Sequence, residues 1–499
     1  MFWRRNRERL GIIAKNGLSV FAKNDAKSKN PSSFALARQR KTGFARKAWH
    51  SCLMAAMSFI LLPFLIAPAH SMQIQKVVSP KGIEAWLVED HTLPLIAMQI
   101  GFEGGSAQDP AGKDGLAYFA SGMLDEGAGD IDSQAFQEKL EGLAIELSFD
   151  ATRDAMSAGL KTLTKNKDEA FRLLRLALTE PRMDPDAIER IREQIFSIIK
   201  MENEDPERIA ANAFFAQVYG GHPYGTPTKG SLDAIRTVTQ GDLKSFVKRS
   251  FARDNLRVAV VGDINALELA ATLDEIFGGL PEKATLAEVP EATWRPRAAS
   301  QVIPMNMPQS VVTFGQPGLK RKHEDFIPAY ILNYIIGGGG FSSTLMTEVR
   351  EKRGLAYSVY TYLYPLQRAG MMLGGVATRN DAVKESIEII KQELGRIAAN
   401  GPSPEVLEDA KRYLTGSYAL RFSSSARIAD ILLSLQMEGL GIDYIDKRNQ
   451  QIEAVTLDDI KRVSKLIKPD DLVITIVGQP QGLLPPGERT PPAIPLPKG

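Results

Sequence analysis

"VTQGDLKSFVKRSFARDNLRVAVVGDI", from Val238 to Ile264, returns near the other end of the chain as "VTLDDIKRVSKLIKPDDLVITIVGQ", from Val455 to Gln479. Both segments read V-T-x-x-D-[LI]-K, continue with helix-period apolar spacing and close on a β-branched run ending in V-G. The alternation in "LRVAVVG" and "LVITIVG" predicts a strand closed by a turn glycine. A second pair lies at nearly the same distance ahead of each: "PDAIERIREQI" from Pro185 and "PEVLEDAKRYL" from Pro404. A proline followed by acids in the first turn predicts a helix start at both places. The chain is therefore read as two copies of one domain, each of about two hundred residues.

The rest of each copy supports an α+β class. "IEAWLVEDHTLPLIAMQIGFEGG" predicts strand, turn and strand, and "DSQAFQEKLEGLAIELSFDATRDAMSAGLKTL" predicts a helix followed by alternating strand segments. The expected fold is two duplicated two-layer α/β sandwiches, each an antiparallel-rich sheet with helices on one face. The boundaries implied are 73–280 and 301–480, joined by a proline-spaced linker at 281–300 and followed by a proline-rich tail at 481–499.

Residues 1–72 are of another kind. The first fifty carry thirteen Lys or Arg against Glu8 and Asp25, and then comes the uncharged "SCLMAAMSFILLPFLIAPAHS". Its apolar run is short for a span and is broken by Pro63 and Pro68, while "APA" at Ala67–Ala69 resembles a cleavage site. The expectation is a basic arm plus a cleavable secretory signal, with an uncleaved inner-membrane anchor as the alternative. Without this segment 48 basic residues face 57 acidic ones, a net charge of −9. That balance argues against nucleic acid as a partner, because a phosphate backbone calls for a basic footprint. The only cysteine, Cys52, lies inside the signal, so the remainder has no thiol chemistry. An exported, cysteine-free chain points to a periplasm.

The remaining histidines, His91, His222 and His323, stand apart from one another, with none at ligand spacing to a second His or Cys. Asp125 and Glu126 read as a solvated helix end. "GGGGF", Gly337–Phe341, lacks the strand and lysine of a phosphate loop and predicts a close backbone turn before the next helix.

Taken in order, "GLAYFASGMLDEGA" (Gly115–Ala128), "GGHPYGTPTKG" (Gly220–Gly230), "NYIIGGGGFSSTLMTEVREKRGLAYSVY" (Asn333–Tyr360) and the two V-G strand ends resemble the pitrilysin/insulinase family of zinc metallopeptidases. The resemblance is to its short two-domain branch, which includes mitochondrial processing peptidase and bacterial relatives, and it spans residues 73–480. It implies the LuxS/processing-peptidase-like metalloenzyme fold. In catalytic members the opening stretch carries H-x-x-E-H, two zinc-binding imidazoles one helical turn apart and a general base between them. Laid on this sequence, the first His falls on Tyr118, the base on Ser121 and the second His on Gly122. The later glutamate ligand falls on Ile198 and its supporting glutamate on Ile191. The resemblance thus implies a degenerate zinc site and no metal in this chain.

It also implies one surviving part. The family's second half contributes an Arg and a Tyr seven residues apart, which match Arg350 and Tyr357 in "REKRGLAY". Gly354 and "AYSVYTY" predict that a helix ends between them and a strand begins, so that they converge across a turn. The alternative is that Arg350 serves an acidic neighbour and Tyr357 is half-buried sheet, with Arg353 the confounding guanidinium. The expected function is the non-zinc subunit of a periplasmic heterodimeric zinc metallopeptidase. Its partner would carry H-x-x-E-H and the zinc, and its substrate would be an unfolded peptide. The competing reading is an inactive scaffold like the core subunits of respiratory complexes.

Overall fold

The computed structural model describes residues 72–296 and 299–483. The basic arm, the apolar segment and the tail beyond Leu483 lie outside the described residues.

Two sheets organise the described residues. The first contains β1 (Gln75–Val78), β2 (Glu84–Glu89), β3 (Leu95–Glu103), β4 (Glu146–Ala151), β5 (Ala155–Leu163) and β6 (Leu256–Gly262), in the order β1-β2-β6-β3-β5-β4. The second contains β7 (Ser300–Pro304), β8 (Gln309–Pro317), β9 (Ala356–Pro365), β10 (Gly370–Arg379) and β11 (Val473–Gly478), in the order β7-β11-β8-β10-β9. Dropping β1 makes the orders identical, and the duplicated V-G strands are β6 and β11, in matching places. Each sheet is antiparallel except for one parallel pair, β2 with β6 and β7 with β11.

Helices fill the connections. α1 (Leu116–Met123) and α2 (Ser133–Gly142) follow β3. α3 (Lys167–Thr179), α4 (Pro185–Glu202), α5 (Pro206–Tyr219), α6 (Leu232–Thr237) and α7 (Gln240–Ser250) lie between β5 and β6, and α8 (Ala266–Phe277) follows β6. In the second half α9 (Phe326–Asn333) precedes β9. α10 (Val383–Asn400), α11 (Pro404–Gly416), α12 (Ser425–Met437), α13 (Tyr444–Ala454) and α14 (Leu457–Ser464) lie between β10 and β11. The repeated V-T-x-x-D has a local cause: it builds a capping box at the start of both α7 and α14. The Thr239 hydroxyl accepts from the Asp242 amide at 3.2 Å while the Asp242 carboxylate accepts from the Thr239 amide at 2.8 Å. Thr456 and Asp459 repeat this at 3.2 and 2.9 Å.

The expected two-domain α+β fold is present, and the second face of each sheet is covered as well. The inner strands are apolar on both faces, Ala97, Ala259 and Val261 being as buried as Met98, Val258 and Val260, so both faces need a cover. The second cover comes from the opposite half. α12 lies across β3 and β6 of the first sheet, and α5 lies across β8 and β11 of the second. A glycine admits each helix at the same register position. A Cβ on Gly101 would stand 2.8 Å from Met437 Sδ, and one on Gly315 would stand 2.8 Å from the Phe214 ring. Each helix also spends a buried glutamine on the opposite V-G strand. Gln436 donates to the Val258 carbonyl at 2.9 Å, and Gln217 accepts from the Thr475 hydroxyl at 3.0 Å.

The linker is strapped to the body. The Thr285 amide donates to the Arg249 carbonyl at 2.7 Å, Gln108 exchanges two hydrogen bonds with Ala287, and the Ala292 amide donates to the Arg368 carbonyl at 2.9 Å. Trp294 packs edge-on against Phe214 and Tyr219, joining a cluster that the two halves share. In the "HPYG" loop the fully buried Tyr224 donates to Asp154 and accepts from the Arg368 amide at 3.1 Å. That loop therefore ties the β4–β5 turn to the β9–β10 turn.

Candidate functional site

Tyr118, Ser121 and Gly122 lie on α1 and Ile191 and Ile198 on α4, and the two helices pack together. α1 is mostly apolar, with Leu116, Phe119, Ala120 and Met123 buried in the first core. Ser121 is 4 % exposed, and its hydroxyl donates back to the Tyr118 carbonyl at 2.8 Å. Gly122 offers no side chain, and a Cβ there would meet Ile191 Cγ2 of α4 at 3.3 Å, a tight contact. Ser121 and Gly122 thus serve helix packing.

Tyr118 is half-buried, and Lys229 Nζ lies 5.5 Å from its ring centroid. The Lys229 ammonium pairs with Glu202, which sits one helical turn beyond Ile198 on α4. An ammonium–carboxylate pair beside a tyrosine ring is no donor set for Zn²⁺, which takes imidazole, thiolate or carboxylate in tetrahedral array. Among the described residues no group of three or more His, Cys, Asp or Glu is placed to hold a metal. The residues at these positions do not fit zinc.

Asp109 fixes where α1 begins. Its carboxylate accepts from the Gly115 amide at 2.8 Å and the Ala117 amide at 2.9 Å. Burial pushes the carboxyl up to about 7, against the pull of those two hydrogen bonds. From about pH 4 to about pH 7 the folded chain holds a proton there that the unfolded chain has released. This group's contribution to stability therefore falls as pH rises through that window. Wild type is expected to lose more stability between pH 5 and pH 7.5 than Asp109→Ala, with urea midpoints compared at both pH values. Equal losses would refute the assignment.

One site expectation changes here. Asp125 and Glu126 are not a solvated helix end: Asp125 is 5 % exposed. Glu126 accepts from Ser133 at 2.6 Å and pairs with Arg190 of α4, which draws it inward. The histidines do settle into separate structural duties. His91 bonds Asp263 at 2.7 Å, which raises its pKa. His222 Nδ1 accepts from the Tyr224 amide at 3.0 Å while Nε2 reaches the Pro290 carbonyl at 3.0 Å, and His323 Nδ1 accepts from the Asp325 amide at 3.0 Å.

The Arg350/Tyr357 block is built differently. After α9 the helix widens into a π-helical turn at Tyr334–Gly338, and a second π-helical turn at Met346–Glu351 carries Arg350. Such turns are rare and concentrate at functional sites. Met346 and Val349 anchor the second turn in the core, and Met346 Sδ accepts from the Val359 amide of β9 at 3.4 Å. The chain then reverses through Gly354 into β9, as its sequence predicts. β9 is the edge strand of its sheet. Its register against β10 slips between Ser358↔Ala377 and Ala356↔Thr378, leaving Tyr357 as the extra residue of a β-bulge. A bulge re-aims its side chain, and Tyr357 is 81 % exposed.

The guanidinium carbon of Arg350 stands 4.9 Å from the Tyr357 ring centroid and 4.6 Å from that of Phe341. Among the described residues no carboxylate pairs with Arg350. Arg353 is instead committed to Glu348, donating to its carboxylate at 2.8 Å and its carbonyl at 2.7 Å, and Lys352 shares that carboxylate. The acid-serving and half-buried alternatives therefore do not describe this pair. What the sequence did not expose is Phe341, 65 % exposed beside Arg350, and the Lys229–Glu202 pair beside Tyr118. The glycine run signalled the turn at Phe341 but not its neighbour. No local pattern signalled the ion pair.

The insulinase (peptidase family M16) model matches residues 86–231, and the peptidase M16 inactive-domain model matches residues 237–414. A "Non-peptidase homolog YmxG" of Helicobacter pylori is 25 % identical over 391 residues, covering 78 % of this chain and 90 % of its own length. The crystal structure of a peptidase M16 inactive domain from Pseudomonas fluorescens superposes with a TM-score of 0.77 at 28 % identity, over 82 % of this chain and 98 % of that one. A chain of complex III₂ from Candida albicans gives a TM-score of 0.69 at 15 % identity over 83 % of this chain and 98 % of that one, a likeness of fold alone.

Proposed function

The chain belongs to the insulinase family, peptidase family M16, and we propose that it is the zinc-free subunit of a heterodimeric zinc metallopeptidase. The observation that carries this reading is selective loss. The zinc positions have been repacked or emptied of donors, while Arg350 keeps an uncommitted guanidinium and Tyr357 an exposed hydroxyl on a bulge. On this reading the partner supplies an H-x-x-E-H motif and its zinc, which would activate water and polarise the scissile carbonyl. This chain's part is to hold an unfolded peptide. Arg350 offers several fixed N–H donors to a substrate carbonyl, and the Tyr357 hydroxyl donates to the oxygen that gains charge during attack. The signal-like segment and the absence of cysteine beyond it support a periplasmic location as part of the same proposal.

The test is to recover the tagged mature chain from cells that express it naturally. Co-recovery of a zinc-bearing H-x-x-E-H chain, with peptide cleavage that a chelator abolishes, is the expected result. Inert material without such a partner would replace this reading with a scaffold role.

A further inference from the structure

We infer that Phe341 is a positioning residue, which with Tyr357 clamps the Arg350 guanidinium so that its N–H edge is presented to substrate; this rests on the subunit function proposed above. Phe341 is a large apolar side chain left 65 % exposed at the end of a glycine run. The run brings it there by close approach. A Cβ on Gly337 would stand 2.5 Å from the Thr361 amide nitrogen, so only bare backbone can lie this near β9. The Phe341 ring then ends 4.6 Å from the Arg350 guanidinium carbon, and the Tyr357 ring lies 4.9 Å away. Both rings therefore pack against the one guanidinium.

A weakly hydrated guanidinium favours aromatic faces, and its donors all lie in its own plane. Rings that occupy the faces leave the edge for hydrogen bonding. An exposed arginine otherwise samples many rotamers, and ordering it on binding costs affinity. The clamp removes most of that freedom in advance. Here Tyr357 has two duties, donor and wall, whereas Phe341 has no polar atom and can act only through Arg350.

Two readouts test this. On the purified chain alone, phenylglyoxal modification of Arg350 is followed by peptide mapping. Arg350 is expected to react slowly in wild type and Phe341→Trp, and several-fold faster in Phe341→Ala. In the recovered complex, Phe341→Ala is expected to lower kcat/KM by about tenfold with the melting temperature unchanged, and Phe341→Trp to restore most of it. If Arg350 reacts equally in all three proteins, or if Trp fails to restore what Ala loses, the clamp is wrong. If the complex cleaves and Tyr357→Phe matters while Phe341→Ala does not, the clamp alone falls. If neither substitution nor Arg350→Ala alters cleavage, the subunit function falls, and the modification pattern still decides whether the clamp exists.

Discussion

Tyr357→Phe is expected to lower kcat of the assembled peptidase by about 10²–10³, the loss typical of one oxyanion donor, about 2.7–4 kcal/mol. The substitution removes a single hydroxyl from a side chain that is 81 % exposed, so folding and assembly should be untouched. Arg350→Lys should fall nearly as far. Lysine keeps the charge but loses the planar edge and the affinity for the Tyr357 and Phe341 faces. If both residues address the same oxygen, the double variant should be little worse than the poorer single one. Initial rates on one peptide, with zinc-loaded partner in excess, measure all three. Full activity in Tyr357→Phe would remove it from the reaction.

Phe214→Ala should have the largest effect on stability, about 3–5 kcal/mol, the usual cost of a truncated core phenylalanine. Phe214 is 0 % exposed, its ring reaches the space above Gly315 of the other half's sheet, and it packs edge-on against Phe215 and Trp294. The cavity would open at the junction of the two halves. Leu267→Ala, at 85 % exposure, is the control and should stay within about 0.5 kcal/mol of wild type. Denaturant midpoints for both variants decide it. A Phe214→Ala midpoint close to that of the control would mean the halves do not depend on the exchanged helix.

What was legible in the sequence was what is local. A capping box spans four residues, so V-T-x-x-D announced the starts of α7 and α14. β-branched alternation announced β6 and β11, and proline announced α4 and α11. That Tyr118, Ser121, Gly122 and Ile198 carry no imidazole or carboxylate was equally visible, because it is a matter of residue type. The features missed are set by distant partners. Asp125 and Glu126 look solvated until Arg190 arrives from α4. The bulge at Tyr357 depends on the register of β10, and the aromatic face on Arg350 depends on how far the glycine run descends on β9. Helices on one face was the natural reading of either half alone, since nothing in the first half says that α12 will cover its open face.

That exchange has a consequence for how the protein folds. The face of the first sheet that holds Gly101 is closed only when α12, whose last residue is Met437, packs on it. The first half folded by itself would therefore carry an uncovered apolar surface, and the two halves have to close together rather than one at a time. A fragment ending at residue 280 should aggregate, whereas a chain that runs through residue 483 should not.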